Sequence, residues 1–302
     1  MPYTNKKMKK LIIGLGEVLW DVLPEGKKLG GAPANFAYFT QQFGNDAIAV
    51  SAIGNDELGG ETIEALNSNG LKFITPRVNF PTGSVSVKLD AQGVPTYTIN
   101  QGVAWDNIPF TDEMEKAAGK CDAVCWGTLA QRSETSRNSI NKFINFTSDE
   151  CLRIFDINLR GNFYTKDIIK ESLNKCKVLK INDEEFPIVT ELFGYGKPAY
   201  QDGCQHFMKD FYIETIILTC GATGSYVFTA NGEYSYIETP KVKVADTVGA
   251  GDSFTGTFCS AILANLPIKE AHRLAVEVSA YVCTQNGAMP KLPEDFIARI
   301  SH

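Results

Sequence analysis

The sequence has eight cysteines but no CxxC pair and no histidine-rich segment to accompany them. That excludes the usual zinc-binding and dithiol patterns. Cys121 and Cys125, the closest pair, sit inside the apolar run CDAVCWG. They read as buried free thiols, the state kept by a reducing, cytoplasmic compartment. No uncharged apolar run is long enough to span a membrane. The start, MPYTNKKMKKLIIGLGEVLW, imitates a secretion signal, but Glu17 interrupts the apolar run and no small-residue cleavage site follows. LIIGLG reads instead as a first buried strand. Positive charge is not in excess: the net charge is −6, which gives no reason to expect nucleic acid or an anionic membrane as a partner. Basic pairs such as Lys27-Lys28 read as solvated loop charges. Two nucleotide signatures are missing as well. The spacing nearest to a Walker A loop, Gly54 to Gly59, is followed by Gly60 rather than lysine. The dinucleotide fingerprint fails twice, because Gly14-x-Gly16 ends at Leu19 and Gly249-x-Gly251 ends at Phe254.

What is present is a regular rhythm. The 302 residues are 44% apolar and 21% charged, enough for a sizeable globular core. Short apolar strands alternate with amphipathic helices: LIIGLGE before APANFAYFTQQFG, AIAVSAIG before ELGGETIEALNSNG, CDAVCWG before SETSRNSINKFINF. RIFDIN, VLKI and ETIILTC continue the series. The pattern predicts an α/β fold with a mostly parallel sheet covered on both faces. Two segments break the rhythm. Residues of about 18–31 and 82–104 read as alternating strands with turns between them, a small β layer grown out of the body. One face of such a layer must find cover, from a substrate or a second subunit. No linker, repeat or low-complexity tract divides the chain, so 1–302 reads as one domain.

The stretch DTVGAGDSF, residues 246–254, joins an extended segment to a helix of apolar spacing. Gly249, Ala250 and Gly251 let a backbone approach an anion closely, and the helix start favours negative charge. Asp252 is then ambiguous. It is either a dipole-stabilising acid of the first turn or a base that accepts a proton from a hydroxyl attacking a bound phosphate.

DTVGAGDSF resembles the signature of the ribokinase-like (PfkB) family of sugar and nucleoside kinases. GGAPANFA, residues 30–37, resembles that family's N-terminal sugar-binding signature, and GEVLWDVLPEG...LGGAPAN is most similar to the fructokinase branch. GNDELG, FDINLR, NDEE, TCGATGS and QNGA follow in the family's order. The resemblance implies a three-layer α/β/α body with a β lid and ATP-dependent phosphorylation of a sugar, fructose at O6 above all. It makes Asp252 the base and the amides of Gly249, Ala250, Gly251 and Asp252 the anion hole. It gives Asp21, Gly31 and Asn35 to the sugar, although Gly30-Gly31 also reads as a plain turn and Asn35 as a solvated first-turn residue. Arg160 would reach a phosphate or sugar oxygen, if Asp156, Asn158 and Arg160 alternate along one strand; a surface pair between Asp156 and Arg160 is the rival.

Asn182 and Glu185 match an element linked to magnesium, but their spacing equally fits a capping box. Thr219, Gly221 and Gly224 match a nucleotide loop or, equally, a hairpin turn. Asp246 and the Val248 carbonyl would hold a monovalent cation such as K⁺. Val276 stands where some relatives carry an asparagine near adenine. Trp105 either stacks on the sugar or packs in the interior. The implied partners are ATP with Mg²⁺ and a small sugar, with a homodimer through the lid.

Overall fold

A computed structural model describes residues 9–23, 26–89 and 95–300. Residues 24–25 and 90–94, inside the two segments expected to form the lid, lie outside the described residues, as do 1–8 and 301–302. In chain order the strands are β1 (Leu11–Leu15), β2 (Leu19–Leu23), β3 (Gly26–Gly30), β4 (Asp46–Val50), β5 (Ile53–Gly54), β6 (Lys72–Ile74), β7 (Arg77–Val78) and β8 (Ser84–Leu89). They continue with β9 (Pro95–Ile99), β10 (Ala123–Trp126), β11 (Leu152–Asp156), β12 (Val178–Asn182), β13 (Thr215–Cys220), β14 (Gly224–Thr229) and β15 (Tyr234–Glu238). The α-helices are α1 (Ala32–Gln42), α2 (Glu57–Ser68), α3 (Asp112–Ala118), α4 (Glu134–Phe146), α5 (Lys166–Leu173), α6 (Glu185–Phe193), α7 (Tyr200–Phe211), α8 (Ala250–Leu263), α9 (Ile268–Cys283) and α10 (Glu294–Ala298).

Nine strands form one sheet in the order β15-β14-β13-β12-β11-β10-β1-β4-β6. From β13 to β6 every pairing is parallel, and only the β13-β14-β15 edge is antiparallel. Strands covered on both faces have no solvent side, which is why β1 and β10 are apolar nearly throughout. Alternate residues go to opposite layers. Ile12, Ala123, Ile154, Val178 and Ile217 pack with Phe36 and Phe39 of α1, Phe258 of α8 and Leu274 of α9. Their neighbours Ile13, Val124, Phe155, Leu179 and Ile216 pack with Met114 of α3, Ile140 of α4, Ile169 of α5 and Phe207 of α7. The sheet with a helical layer on each side is the architecture that the sequence predicts.

The expected β layer is a separate four-stranded sheet, β3-β2-β8-β9. It is shorter than the segments read from sequence. Thr82 is buried in the body, where its amide and hydroxyl both donate to Asp56, and residues 104–107 form a buried 3₁₀ turn. Lys27 and Lys28 are strand residues rather than loop residues. Lys27 pairs with Glu61 on α2 at 2.6 Å, and beside it the Trp20 indole donates to Thr62 at 2.9 Å. These contacts tie one side of the lid to α2. All eight cysteines are free, and seven of them are buried. Among the described residues no helix is long and apolar enough to cross a membrane.

Candidate active site

Loops at the carboxyl ends of parallel strands face one side of a sheet, and that is where ligands enter such folds. Here a cavity of about 900 Å³ opens there, between the strand ends and the lid. Leu19, Asp21, Gly30, Val85 and Ile99 line it from the lid; Glu17, Asn158, Arg160, Lys180 and Thr219 line it from the ends of the body strands.

Its floor is the start of α8. Gly249 caps that helix in the left-handed region, with φ of +80°. A Cβ there would stand 2.5 Å from the Ala288 carbonyl oxygen, so the turn accepts only glycine. The next residues, Ala250, Gly251 and Asp252, all line the cavity. The Ala250 amide turns back to the Thr247 carbonyl at 3.3 Å. The amides of Gly251 and Asp252, like other first-turn amides, have no acceptor within their own helix and can donate to an anion bound at the helix start. Behind the turn, a Cβ on Gly251 would meet the Lys180 ammonium at 3.2 Å. Lys180 is buried and pairs with Asp156 at 3.1 Å, while the second Asp156 oxygen accepts from the Thr255 hydroxyl. Burial pulls the ammonium toward its neutral form. The nearby carboxylates of Asp156, Glu185 and Asp252 outweigh this and hold its pKa above the usual value.

Asp252 is half-buried in the first turn. Its carboxylate accepts from the Asn35 amide at 2.7 Å. Burial raises its pKa to about 6, with the Asn35 hydrogen bond pulling the other way and the charge of Asp156 adding to the rise. Asn35 is itself buried in the first turn of α1, and its Oδ1 has no partner within the protein. Gly31 precedes it, with φ of +118°, and a Cβ there would stand 2.4 Å from the Glu17 carbonyl oxygen. The lid strand β3 can therefore run directly into α1 only through glycine. Asp21 faces the same space from β2, with its pKa raised by burial and lowered in part by Lys28.

At the other end, β13 and β14 are joined by a tight turn. That hairpin brings Thr219, Gly221 and Gly224 to the cavity wall, so the hairpin and the wall of the site are one structure. Val276 of α9 also faces the cavity. Asn182 and Glu185 make the reciprocal bonds of a capping box. The Asn182 side chain accepts from the Glu185 amide at 2.8 Å, and Glu185 accepts from the Asn182 amide at 3.0 Å. The other Glu185 oxygen accepts from the Leu159 amide at 2.8 Å. Asp246 braces the turn before α8, accepting from the amides of Val248 and Gly287, with the Lys28 ammonium 4.0 Å away.

Such a site can bind an anion on amides, hold a polyol on carboxylates and amides, and accept a proton between the two. The sequence profile of the pfkB family carbohydrate kinases matches residues 17–295. The chain belongs to the PfkB family. Its relatives include an ATP-dependent 6-phosphofructokinase of Thermoanaerobacterium thermosaccharolyticum, 26% identical with 94% of this chain and 91% of the relative covered. A probable fructokinase of Arabidopsis thaliana is 26% identical, with 95% of each chain covered. The fold is likewise that of solved kinases. An uncharacterized sugar kinase of Pyrococcus horikoshii superposes with a TM-score of 0.81 at 24% identity, over 96% of this chain and 97% of the other. The fructokinase of Vibrio cholerae, solved with fructose, ADP and calcium, gives 0.77 at 24% identity, over 96% and 98%. This PfkB chain is a sugar kinase with a ribokinase-like fold.

Three expectations need correction. Trp105 is fully buried: its ring lies against Gly83 and under the Arg132 guanidinium, 4.0 Å away, so it has no face to offer a sugar. The alternation of Asp156, Asn158 and Arg160 fails because β11 ends at Asp156 and Asn158 turns into the left-handed region, with φ of +45°. Asp156 pairs with Lys180 and not with Arg160, which is exposed and lines the cavity. Finally, the extended segment before the signature ends early, since β15 stops at Glu238 and residues 239–249 form no strand. Among the cavity residues that escaped the sequence reading are Lys180 and Glu17. Each left a signal: a charged residue within or directly after an apolar run whose neighbours are all buried.

Proposed function

We propose that this kinase transfers the γ-phosphoryl group of ATP to a hydroxyl of a neutral sugar, with D-fructose to fructose 6-phosphate as the reaction that fits best. The observation that carries the reading is the placement of Asp252. A carboxylate with a pKa of about 6 shares one helical turn with the amides that can cradle a phosphoryl group, and the Asn35 amide holds it by a hydrogen bond. In this mechanism Asp252 takes the hydroxyl proton as the sugar oxygen attacks the γ-phosphorus. A new O–P bond forms, the bond to the β-phosphate oxygen breaks, and ADP leaves. The amides of Gly249, Ala250, Gly251 and Asp252 stabilise charge on the transferring group, and Lys180 adds a fixed positive charge behind them. Asp21, Gly31 and Asn35 hold the sugar, and Arg160 closes over it from the body.

Thr219, Gly221 and Gly224 line the nucleotide end, and Val276 offers adenine an apolar contact in place of a hydrogen bond. Magnesium would accompany the ATP phosphates and neutralise their charge. Both Glu185 oxygens already accept amides, so Glu185 and Asn182 would hold the ion through water. The same reading gives a monovalent cation to Asp246 and the Val248 carbonyl; turnover unchanged when K⁺ is replaced by choline sets that part aside. The acceptor end carries the carboxylates of Asp21 and Asp252 against Arg160, a balance that favours an uncharged polyol over a sugar phosphate.

The test is ADP release with magnesium and potassium across a panel of D-fructose, fructose 6-phosphate, ribose, sugar acids and nucleosides. Turnover led by fructose supports the reading. Turnover with fructose 6-phosphate alone keeps the mechanism and overturns the acceptor. Sugar binding without any turnover favours a regulator built on a kinase fold.

A further inference from the structure

Two buried polar atoms in the main cavity have no partner in the protein, Asn35 Oδ1 and Glu17 Oε2. Glu17 follows β1 directly and is only 3% exposed. It lines the large cavity together with Asp21, Gly31, Asn35 and Asp252. It also lines a second pocket of about 10 Å³, shared with Asp156, Asn158, Asp252 and Thr255, which is room for about one water molecule. A buried carboxyl oxygen without a hydrogen bond is costly, so a ligand or an ordered water must complete it.

We propose that Glu17 is a sugar-binding residue whose unpartnered carboxyl oxygen takes a hydroxyl of the acceptor next to the one that Asp252 deprotonates. The proposal rests on the sugar-kinase reading above and adds a residue to its acceptor subsite. The surroundings favour a carboxyl that keeps its proton. The charged and titratable groups that face Glu17 are Asp252 from α8, Asp156 from β11 and Arg160 from the loop after it; the Cys125 thiol lines the small pocket. Burial, with the two aspartates, pushes the Glu17 pKa to about 7, against the opposing pull of its own backbone N–H and of Arg160. A neutral carboxyl offers one donor and one acceptor. That pairing suits a sugar hydroxyl, and it avoids placing a third anion beside Asp21 and Asp252. Once Glu17 ionises, a sugar must displace water from a charged group in a closed site, which weakens binding. Sugar binding and proton uptake are therefore linked at Glu17.

The experiment is calorimetric titration of the intact protein with D-fructose, without nucleotide, from pH 6 to 8.5 and in buffers of different ionisation enthalpy. Melting temperatures are recorded for each variant. Wild type should bind fructose more weakly as the pH rises through 7 and should take up protons on binding at pH 7.5. Glu17→Ala should weaken binding roughly tenfold, the loss of one buried hydrogen bond. Glu17→Gln keeps a donor and an acceptor, so it should lose less than Glu17→Ala. It should also flatten the pH dependence and abolish the Glu17 share of the proton uptake. Glu17→Ala binding fructose as tightly as wild type overturns the proposal, and so does a pH profile and proton uptake that Glu17→Gln leaves unaltered. If Glu17→Ala does not fold, the glutamine variant decides alone. If wild type binds no sugar of the panel, the kinase reading of the cavity fails first. Fructose binding that ignores Glu17 overturns only this inference.

Discussion

Asp252 is a first-turn acid by position and a candidate base by environment, and its two roles separate by measurement. Removing the charge while keeping the shape, Asp252→Asn leaves the Asn35 contact and the helix start in place. The variant should melt near the wild-type temperature and lose roughly 10²–10⁴ in kcat, the range for a general base. Loss of folding would point to capping alone. Because the base must be ionised to work, wild-type kcat/KM should fall below pH 6 with one proton, the value to which burial raises this carboxyl. A profile flat down to pH 5 would remove Asp252 from the proton transfer. Lys180 is the other residue with a measurable double duty. Lys180→Met leaves Asp156 buried and unpaired, which should cost about 3–5 kcal/mol in denaturant unfolding. Changing Asp156→Leu as well should recover much of that stability without recovering turnover; recovery of both would make the pair purely structural.

Among the elements, the join between lid and body is the tightest. Strand β3 passes into α1 at Gly31, whose hydrogen takes the place where a side chain would strike the Glu17 carbonyl. Gly31→Ala should force the lid strand away from the strand ends. Sugar KM should then rise tenfold or more while ATP KM changes little, because the nucleotide end proposed above lies at the β13-β14 turn and α8, away from this joint. An equal rise in both constants would show that the joint supports the whole cavity rather than its acceptor half. The capping box at Asn182 and Glu185 has a similar division of labour. It fixes the start of α6 and the loop after β11, and so places Arg160 at the cavity.

On the scale of the molecule, the acids of the site set the pH at which the fold is firmest. Glu17 and Asp252 have native pKa values near 7 and 6, above their ordinary values of 4.5 and 3.8. Each contributes stability that is complete below its unfolded pKa and is lost as pH rises through its folded one. Asp56 and Asp246, despite the opposing effect of burial, are held low by hydrogen bonds, and their contribution is lost as pH falls through the native values. Buried His272, its pKa lowered to about 4, opposes this below pH 6.5. The two raised acids outweigh it, so the ligand-free protein should melt at a higher temperature at pH 5.5 than at pH 8, and Glu17→Gln should narrow the gap. A melting temperature that climbs steadily from pH 5 to 8 would contradict this. The alternation of strand and helix was legible from the chain alone, because a sheet buried on both faces leaves period and length as a plain local record. The glycine turn with Asp252 was legible for the same reason, since its chemistry is packed into consecutive residues. The sequence by itself thus determined the layered body and the family, and it located the glycine turn proposed to hold the phosphate. Which side chains meet was decided only by the tertiary structure. Lys180 joins Asp156 across neighbouring strands, Trp105 disappears under Arg132, and Glu17 is brought beside Asp252 from the opposite end of the chain. These contacts link residues far apart in the chain, and burial sets their charge states, so no local pattern of letters carries them.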